Sequence, residues 1–323
     1  MRARIRWGLV GVVATVWATM ACAQSWPTRP ITIVVPFPAG GQTDVVARAV
    51  AEPMSRELGQ PILIDNKPGV NGSLASDQVS KAAPDGYTLV ATGPGTHGIN
   101  QLVNPNVRYD ARKDFTHIGL VARTSNVLLA SSAFKGASVK DLVSLAKAHP
   151  KEITFALTGI GASGHMSMEL LKQAAGVDFT AVPYKGDAPA ITDMLGGQVQ
   201  LALLPPGLAM PQVKAGKLRA VGTTSTGRSA LVPEVPSLAE AGVKNYQLEI
   251  WNAVAAPASM PAAQVRKLSG IVSDIVRSPE MRQRLFQQGW QVVGSSPEGL
   301  KNRIDADTRA LGDIIRQQKI ELN

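Results

Sequence analysis

The sequence predicts an α/β protein with mainly parallel sheets, on three observations. Apolar, β-branched runs alternate with helical stretches along nearly the whole chain. Glycine-rich loops follow several of the strands, and two of them, about 120 residues apart, open directly into a helix. The length of 323 residues suits one large or two ordinary domains, and 45% hydrophobic with 18% charged residues is globular composition.

The N-terminus is set apart. Arg2, Arg4 and Arg6 precede the apolar Trp7–Ala18, and Ala21-Cys22-Ala23 forms an A-x-A cleavage site. That is the plan of a secretory signal peptide over residues 1–23, too short for a membrane span. Cys22 as a lipoprotein anchor is the lesser reading, because Thr19-Met20-Ala21 is a poor lipobox. No later stretch is apolar for long enough to span a bilayer, so a soluble mature protein is expected. Cys22 is the single cysteine, so a chain starting at Gln24 has no disulfide, thiolate metal site or thiol nucleophile. Loss of three arginines and no acid lowers the formal charge from +9 to +6. With 5% aromatic residues and scattered Lys and Arg, a nucleic-acid groove is not expected.

The elements follow in order. Ile31, Ile33, Val34 and Val35 read as a buried strand that stops at Pro36-Phe37-Pro38, where proline removes ladder donors. Ala39-Gly40-Gly41 supplies nearly bare backbone, and Thr43 or Asp44 is placed to cap the next helix. Strand, glycine turn and helix N-terminus together make an anion cradle. A strand at Pro61–Asp65, a glycine-rich loop at Asn66–Ser73, a helix around Leu74–Lys81 and a strand at Tyr87–Thr92 come next. The loop from Gly93 to His97 opens from that strand's carboxyl end. Strands at Thr116–Arg123 and Asn126–Ser131 meet at Thr124-Ser125, a crossing point to a second domain. Then the alternation resumes, with the second cradle at Gly159–Gly164 between a strand at Ile153–Thr158 and a helix at His165–Ala175. A strand at Phe179–Tyr184, a helix at Ala188–Leu195, a strand at Val199–Leu204, a proline-broken helix near Leu208–Ala215 and a strand at Leu218–Thr223 follow. The chain ends with a strand at Tyr246–Val254, helices at Ala262–Arg277 and Glu280–Gln288, a strand at Trp290–Val293 and a helix at Pro297–Gln317.

Catalytic readings of these loops are weak. Gly159–Gly164 fits G-x-G-x-x-G, yet Asp178 precedes the second strand where the ribose-binding acid should close it, and NAD is implausible for an exported protein. Ser163 and His165 lie close in sequence without completing G-x-S-x-G. His97 and His165 lack metal-ligand spacing. Lys185 reads as a Schiff-base lysine only if buried, and otherwise as a solvent-facing or ligand-gating cation. Trp251 reads as core or hinge packing, with ligand stacking second.

The motifs PFPAGGQTDVVAR, DNKPGVNGSLAS, PDGYTL, THGIN, TGIGASGHM and VPYKG, with the run Gly196–Ala220, resemble one family along essentially the whole mature chain. It is that of the tripartite tricarboxylate transporter substrate-binding proteins, also called Bug proteins. The resemblance implies a periplasmic, two-domain Venus-flytrap fold that closes on a small carboxylated solute. It implies one domain from residues 24–123 plus 251–323 and a second from 124–250. It also implies a monomer that serves integral-membrane transporter subunits, is not an enzyme, and uses no cofactor or metal. Carried onto this chain, the first domain would contribute Phe37, Pro38, Ala39, Gly40, Gly41, Thr43 and Asp44, then Thr92, Thr96 and His97. The second would contribute Thr158, Gly161, Ala162, Ser163 and His165, then Tyr184, Lys185 and Gly186. Neutral N–H and hydroxyl donors would hold a carboxylate without an arginine.

Two departures stand out. Leu204-Pro205 occupies the place of an Asp-Asn pair in many members, which makes that wall apolar and points to a ligand end that is apolar or uncharged, such as an aromatic or short-chain monocarboxylate. Asp187 stands where glycine is common and adds a negative charge beside Lys185, either capping the next helix or opposing dianions. Beside the transport reading stand a binding protein for a sensor kinase and an exported hydrolase using Ser163 and His165.

Overall fold

The computed structural model describes residues 26–318 apart from 160, 161, 226, 245 and 247. The predicted signal segment with Cys22, and Gly161 of the second cradle, therefore lie outside the described residues.

In chain order, β1 (Ile31–Val35), α1 (Gln42–Leu58), β2 (Ile62–Asn66), α2 (Ser73–Ser80) and β3 (Thr88–Thr92) begin the first sheet. A π-helical turn over Gly95–Ile99 runs into the short α3 (Asn100–Val103) and then β4 (Phe115–Ser125). The second sheet is built from β5 (Val127–Ala130), α4 (Val139–Ala148), β6 (Thr154–Leu157), α5 (Ser163–Ala175) and β7 (Thr180–Pro183). It continues with α6 (Asp187–Leu195), β8 (Leu201–Leu204), α7 (Pro206–Lys214) and β9 (Arg219–Thr223). The chain returns to the first sheet through β10 (Glu249–Pro257), α8 (Ala262–Arg277), α9 (Pro279–Gln287), β11 (Gln291–Val292) and α10 (Pro297–Gln318).

The strand orders are β11-β4-β10-β3-β1-β2 and β7-β6-β8-β5-β9. Pairing is parallel across β2-β1-β3 and β7-β6-β8, and antiparallel elsewhere. The sheets are thus mixed, where mainly parallel ones were expected. Strands β4 and β10 carry the chain out of the first sheet and back, so they pair antiparallel, and β5 enters the second sheet the same way.

Strand alternation buries both faces of each sheet. Ile31, Ile33 and Val35 pack with Val46, Val50 and Met54 of α1 and with Leu268 and Val272 of α8. Val34 turns to the opposite face, with Val79 of α2, Tyr109 and Phe115. In β8, Leu201 and Leu203 face α4 and α5, whereas Ala202 and Leu204 face α6 and α7.

Between the sheets, β4 and β10 stay paired as far as Ser125 and Glu249, across two bulges at Asn252/Ala253 and Val254/Ala255. Beyond them, the Asn126 N–H donates to Thr224 Oγ1 at 2.9 Å. The Thr224 N–H returns to Asn126 O, and the Leu248 N–H donates to Thr224 O, each at 3.0 Å. The strand expected from Tyr246 begins later, at Glu249, because the Tyr246 ring is buried and its hydroxyl donates to Ser167 O at 2.8 Å. Helix α10 bridges the two sheets: Leu311 and Ile315 pack against Ile99, Val103, Leu248 and Met166 of α5. The helix near Leu208 is not broken; Pro206 sits in the first turn of α7, where its missing N–H costs no bond, and Pro211 lies inside it.

Candidate functional site

A cavity of about 770 Å³ lies between the two sheets and takes its lining from both. That volume is in the range of small-molecule sites.

The first loop presents Phe37, Pro38, Gly41 and Thr43, together with Gln42. Its shape comes from Gly40, at φ +78°, which lets the chain reverse, and the Gly41 N–H closes the turn on Pro38 O at 3.2 Å. Neither Thr43 nor Asp44 caps α1, contrary to expectation: the helix begins at Gln42, with Gly41 as its cap and no side-chain capping bond. Asp44 and Gly40 do not line the cavity, and Ala39 is exposed outside it. Asp44 is instead the clasp of the loop. Its buried carboxylate accepts from the Gly40 N–H at 2.8 Å, Arg48 Nε at 2.9 Å and Asn66 Nδ2 at 2.9 Å, while Asn66 Nδ2 also donates to Phe37 O at 3.0 Å. Burial raises the Asp44 pKa, but these bonds outweigh it and leave the carboxyl below its ordinary value.

Thr92, Thr96 and His97 do not line the cavity. All three are fully buried and bond to each other: Thr92 Oγ1 meets Thr96 Oγ1 at 2.7 Å and also His97 Nδ1. The π-helical turn points these side chains inward and leaves the backbone of Gly93, Pro94 and Gly95 at the cavity. Burial, then the neighbouring His117, lowers the His97 pKa to about 3, so the ring is neutral.

The second cradle presents Thr158, Gly159, Ala162, Ser163 and Gly164. Helix α5 starts at Ser163 behind an extended Ala162 with no side-chain cap, so its first N–H groups have no intrahelical partner. A Cβ on Gly164 would stand 3.0 Å from Leu203 O, so glycine here lets α5 seat closely on the end of β8. His165 turns away, with Nε2 3.9 Å from Glu169 Oε1 along the helix. Residues two apart on a helix face different sides. The pair that a serine hydrolase needs is therefore not assembled. The dinucleotide reading also loses its acid, because Asp178 pairs with Lys172 at 3.0 Å.

Gly186 and Pro205 line the cavity, whereas Tyr184, Lys185 and Leu204 do not. Tyr184 donates its hydroxyl to Asp193 Oδ2 at 2.9 Å, and Lys185 is exposed. Leu204 is fully buried against α6 and α7; the period of two in β8 puts Leu203 at the cavity in its place. Leu203 and Pro205 give the cavity apolar lining at the end of β8.

Several lining residues carried no sequence signal. Asn71 sits at φ +50° beside Val70 at φ +46°, held by Asn71 Nδ2 donating to Asn100 Oδ1 at 2.8 Å and by Asn100 Nδ2 donating to Asn71 O at 2.9 Å. Asn126 reaches Ser163 Oγ at 3.5 Å. The floor is ionic: Arg303 Nε meets Asp307 Oδ1 and Oδ2 at 2.9 and 3.0 Å, and Arg303 Nη1 meets Glu249 Oε2 at 3.1 Å. Trp251 Nε1 donates to Asp307 Oδ2 at 2.6 Å. These groups come from a strand and a helix that read as ordinary packing in the sequence. Asp187 also lines the cavity, its carboxyl raised by burial and partly offset by a hydrogen bond with Thr158. Among the described residues, no group of three or more His, Cys, Asp or Glu is placed to hold a metal ion, and no helix is long and apolar enough to cross a membrane.

Two sheets flanked by helices, joined by crossing strands and facing each other over a cavity lined by helix N-termini, define a two-domain solute-binding protein of the periplasmic type. The chain belongs to the tripartite tricarboxylate transporter family of receptors, which it matches over residues 46–320. BugT of Bordetella pertussis is 30% identical over 308 residues, 94% of each chain. A solved structure of an R. palustris protein with adipate is 35% identical, with TM-score 0.82, covering 92% of this chain and 99% of that one. MatC of Rhodopseudomonas palustris, with bound malate, is 34% identical with TM-score 0.78, covering 90% and 100%.

Proposed function

We propose that this protein captures a small carboxylate-containing solute between its two domains in the periplasm and delivers it to the membrane subunits of a tripartite tricarboxylate-type transporter. The observation that carries this reading is the cradle at the start of α5: uncapped helix N–H groups with Ser163 beside them, facing the loop of Phe37–Gly41 across one cavity. Such a site suits a carboxylate, because backbone N–H groups and the helix dipole supply partial positive charge where a ligand arrives. Two relatives of more than 30% identity hold adipate and malate, which favours the same ligand class here.

In this reading the domains are residues 24–123 with 251–323, and 124–250, and they close about the crossing of β4 and β10. Bonds among Asn126, Thr224 and Leu248 tie the crossing strands together, so movement would be shared by all of them. Closure would bury the ligand and create the surface that the membrane subunits recognise.

A thermal-shift screen against mono-, di- and tricarboxylates, acidic amino acids and aromatic acids tests the proposal. A ligand at 100 times its Kd should stabilise by about 2.7 kcal/mol. A protein that has been unfolded and refolded to remove any carried ligand, and still shows no shift with any carboxylate, would overturn it.

A further inference from the structure

The charged groups around the cavity are unevenly matched. Among its described lining residues the acids are Asp187, Glu249 and Asp307, and the single cation is Arg303. Arg303 is already engaged, forked onto Asp307 and bonded to Glu249, and Glu249 has a second partner in Arg123 at 3.3 Å. That cluster is balanced within itself and offers no cation to a bound anion. Asp187 has no such arrangement. No Lys, Arg or His among the described residues lies within ion-pair distance of it, and Thr158 is its side-chain partner. Lys185, two residues earlier, is exposed and outside the cavity lining.

The position of Asp187 sharpens the point. It opens α6, directly after Gly186, and lines the cavity together with Thr158, the residue after β6, the strand that feeds the α5 cradle. A carboxylate seated on that cradle therefore shares one cavity with the Asp187 carboxylate. The α6 N-terminus offsets part of the cost of holding Asp187 ionised. A second ligand carboxylate would add a like charge to a half-buried acid, with no free cation to compensate.

We propose that Asp187 selects the solute: the end of the ligand that meets it carries a hydrogen-bond donor, an ammonium or hydroxyl group, in place of the second carboxylate of a diacid. This rests on the reading of the cavity as a carboxylate site and names the substrate class within it. Asp187 acts as the acceptor, and the carboxylate end of the solute lies on the α5 and α1 loops. The preferred class is then amino acids or hydroxy acids with one carboxylate.

The test is a length-matched series run by isothermal titration calorimetry on protein unfolded and refolded to free the cavity. Each length from malonate to adipate is represented by the diacid, the ω-amino acid and the ω-hydroxy acid. At the best-fitting length the amino or hydroxy acid should bind about tenfold tighter than the diacid, the size of one charge-assisted pairing gained and one repulsion avoided. Asp187→Gly and Asp187→Asn should each remove most of that preference while a circular-dichroism melt shows them folded. A wild-type protein that prefers the diacid would overturn the inference and leave carboxylate capture standing. A preference that persists in both variants would do the same. Failure of every member to bind the folded protein would remove carboxylate capture, and this inference with it.

Discussion

Replacing Arg303 by methionine keeps most of the side-chain volume and removes the one cation from the cavity floor. Asp307 would lose both Nε contacts, at 2.9 and 3.0 Å, and keep Trp251; Glu249 would lose its 3.1 Å partner and keep Arg123 at 3.3 Å. Removing one member of a buried ion pair costs about 3–5 kcal/mol when the remaining charge is stranded. Here Glu249 is 7% exposed, but Asp307 is 19% and Arg303 21% exposed, and both acids retain a partner. The expected loss is therefore lower, about 2–3 kcal/mol. Urea unfolding at neutral pH, followed by tryptophan fluorescence and circular dichroism, would show it as a lower midpoint with unchanged slope. Arg303→Lys should recover less than half of the loss, since one ammonium cannot hold Asp307 and Glu249 together as Nε and Nη1 do. A loss under about 1 kcal/mol in Arg303→Met would refute the reasoning, because that is the most an exposed pair is worth.

The remaining predictions concern the loops. His97, held at about 3 when folded against 6.5 when unfolded, makes the unfolded chain bind the proton first as pH falls. Its contribution is fully present above 6.5 and drains towards 3, at up to about 1.4 kcal/mol per pH unit. His97→Gln should flatten the dependence of urea stability over roughly pH 4 to 6, and an unaltered slope would count against a neutral buried ring. Asp44→Asn should cost about 1–2 kcal/mol, discounted because Arg48 is half-exposed. The same change should speed hydrogen exchange at the Gly40 amide, which loses an ionic acceptor; full protection there would show that Asp44 does not hold the loop. Ser163→Ala should weaken carboxylate binding by about 0.5–1.5 kcal/mol and leave the melting temperature of the free protein in place. An ester-hydrolysis activity abolished by that substitution would revive the hydrolase reading.

The loop backbones were legible in the sequence, and the side chains around them were much less so. Pro36-Phe37-Pro38 and Gly40-Gly41 mark where β1 must stop and turn, since proline and glycine act on φ and on main-chain donors wherever they occur. The resemblance to the family, and not a local rule, put Thr158, Ala162, Ser163 and Gly186 at the ligand, and all four line the cavity. It also named Thr92, Thr96 and His97, which do not line the cavity: their side chains bond to each other where β3 runs into the π-helical turn. It named Leu204, whereas Leu203 lines the cavity, because the face of each residue in β8 depends on a strand register set by β5 and β6.

What the sequence by itself determined is the α/β alternation, the two cradles and their helix N-termini, all consequences of short-range backbone preference and apolar period. Only the tertiary structure decided that Arg303, Asp307, Glu249 and Trp251 make one ionic floor, that no cation among the described residues pairs with Asp187, and that the sheets are mixed. Those facts join residues far apart in the chain, and their distances exist only once β10 and α10 have packed back onto β4. Pairwise electrostatics and strand direction depend on separation in space, which no local pattern of residues encodes.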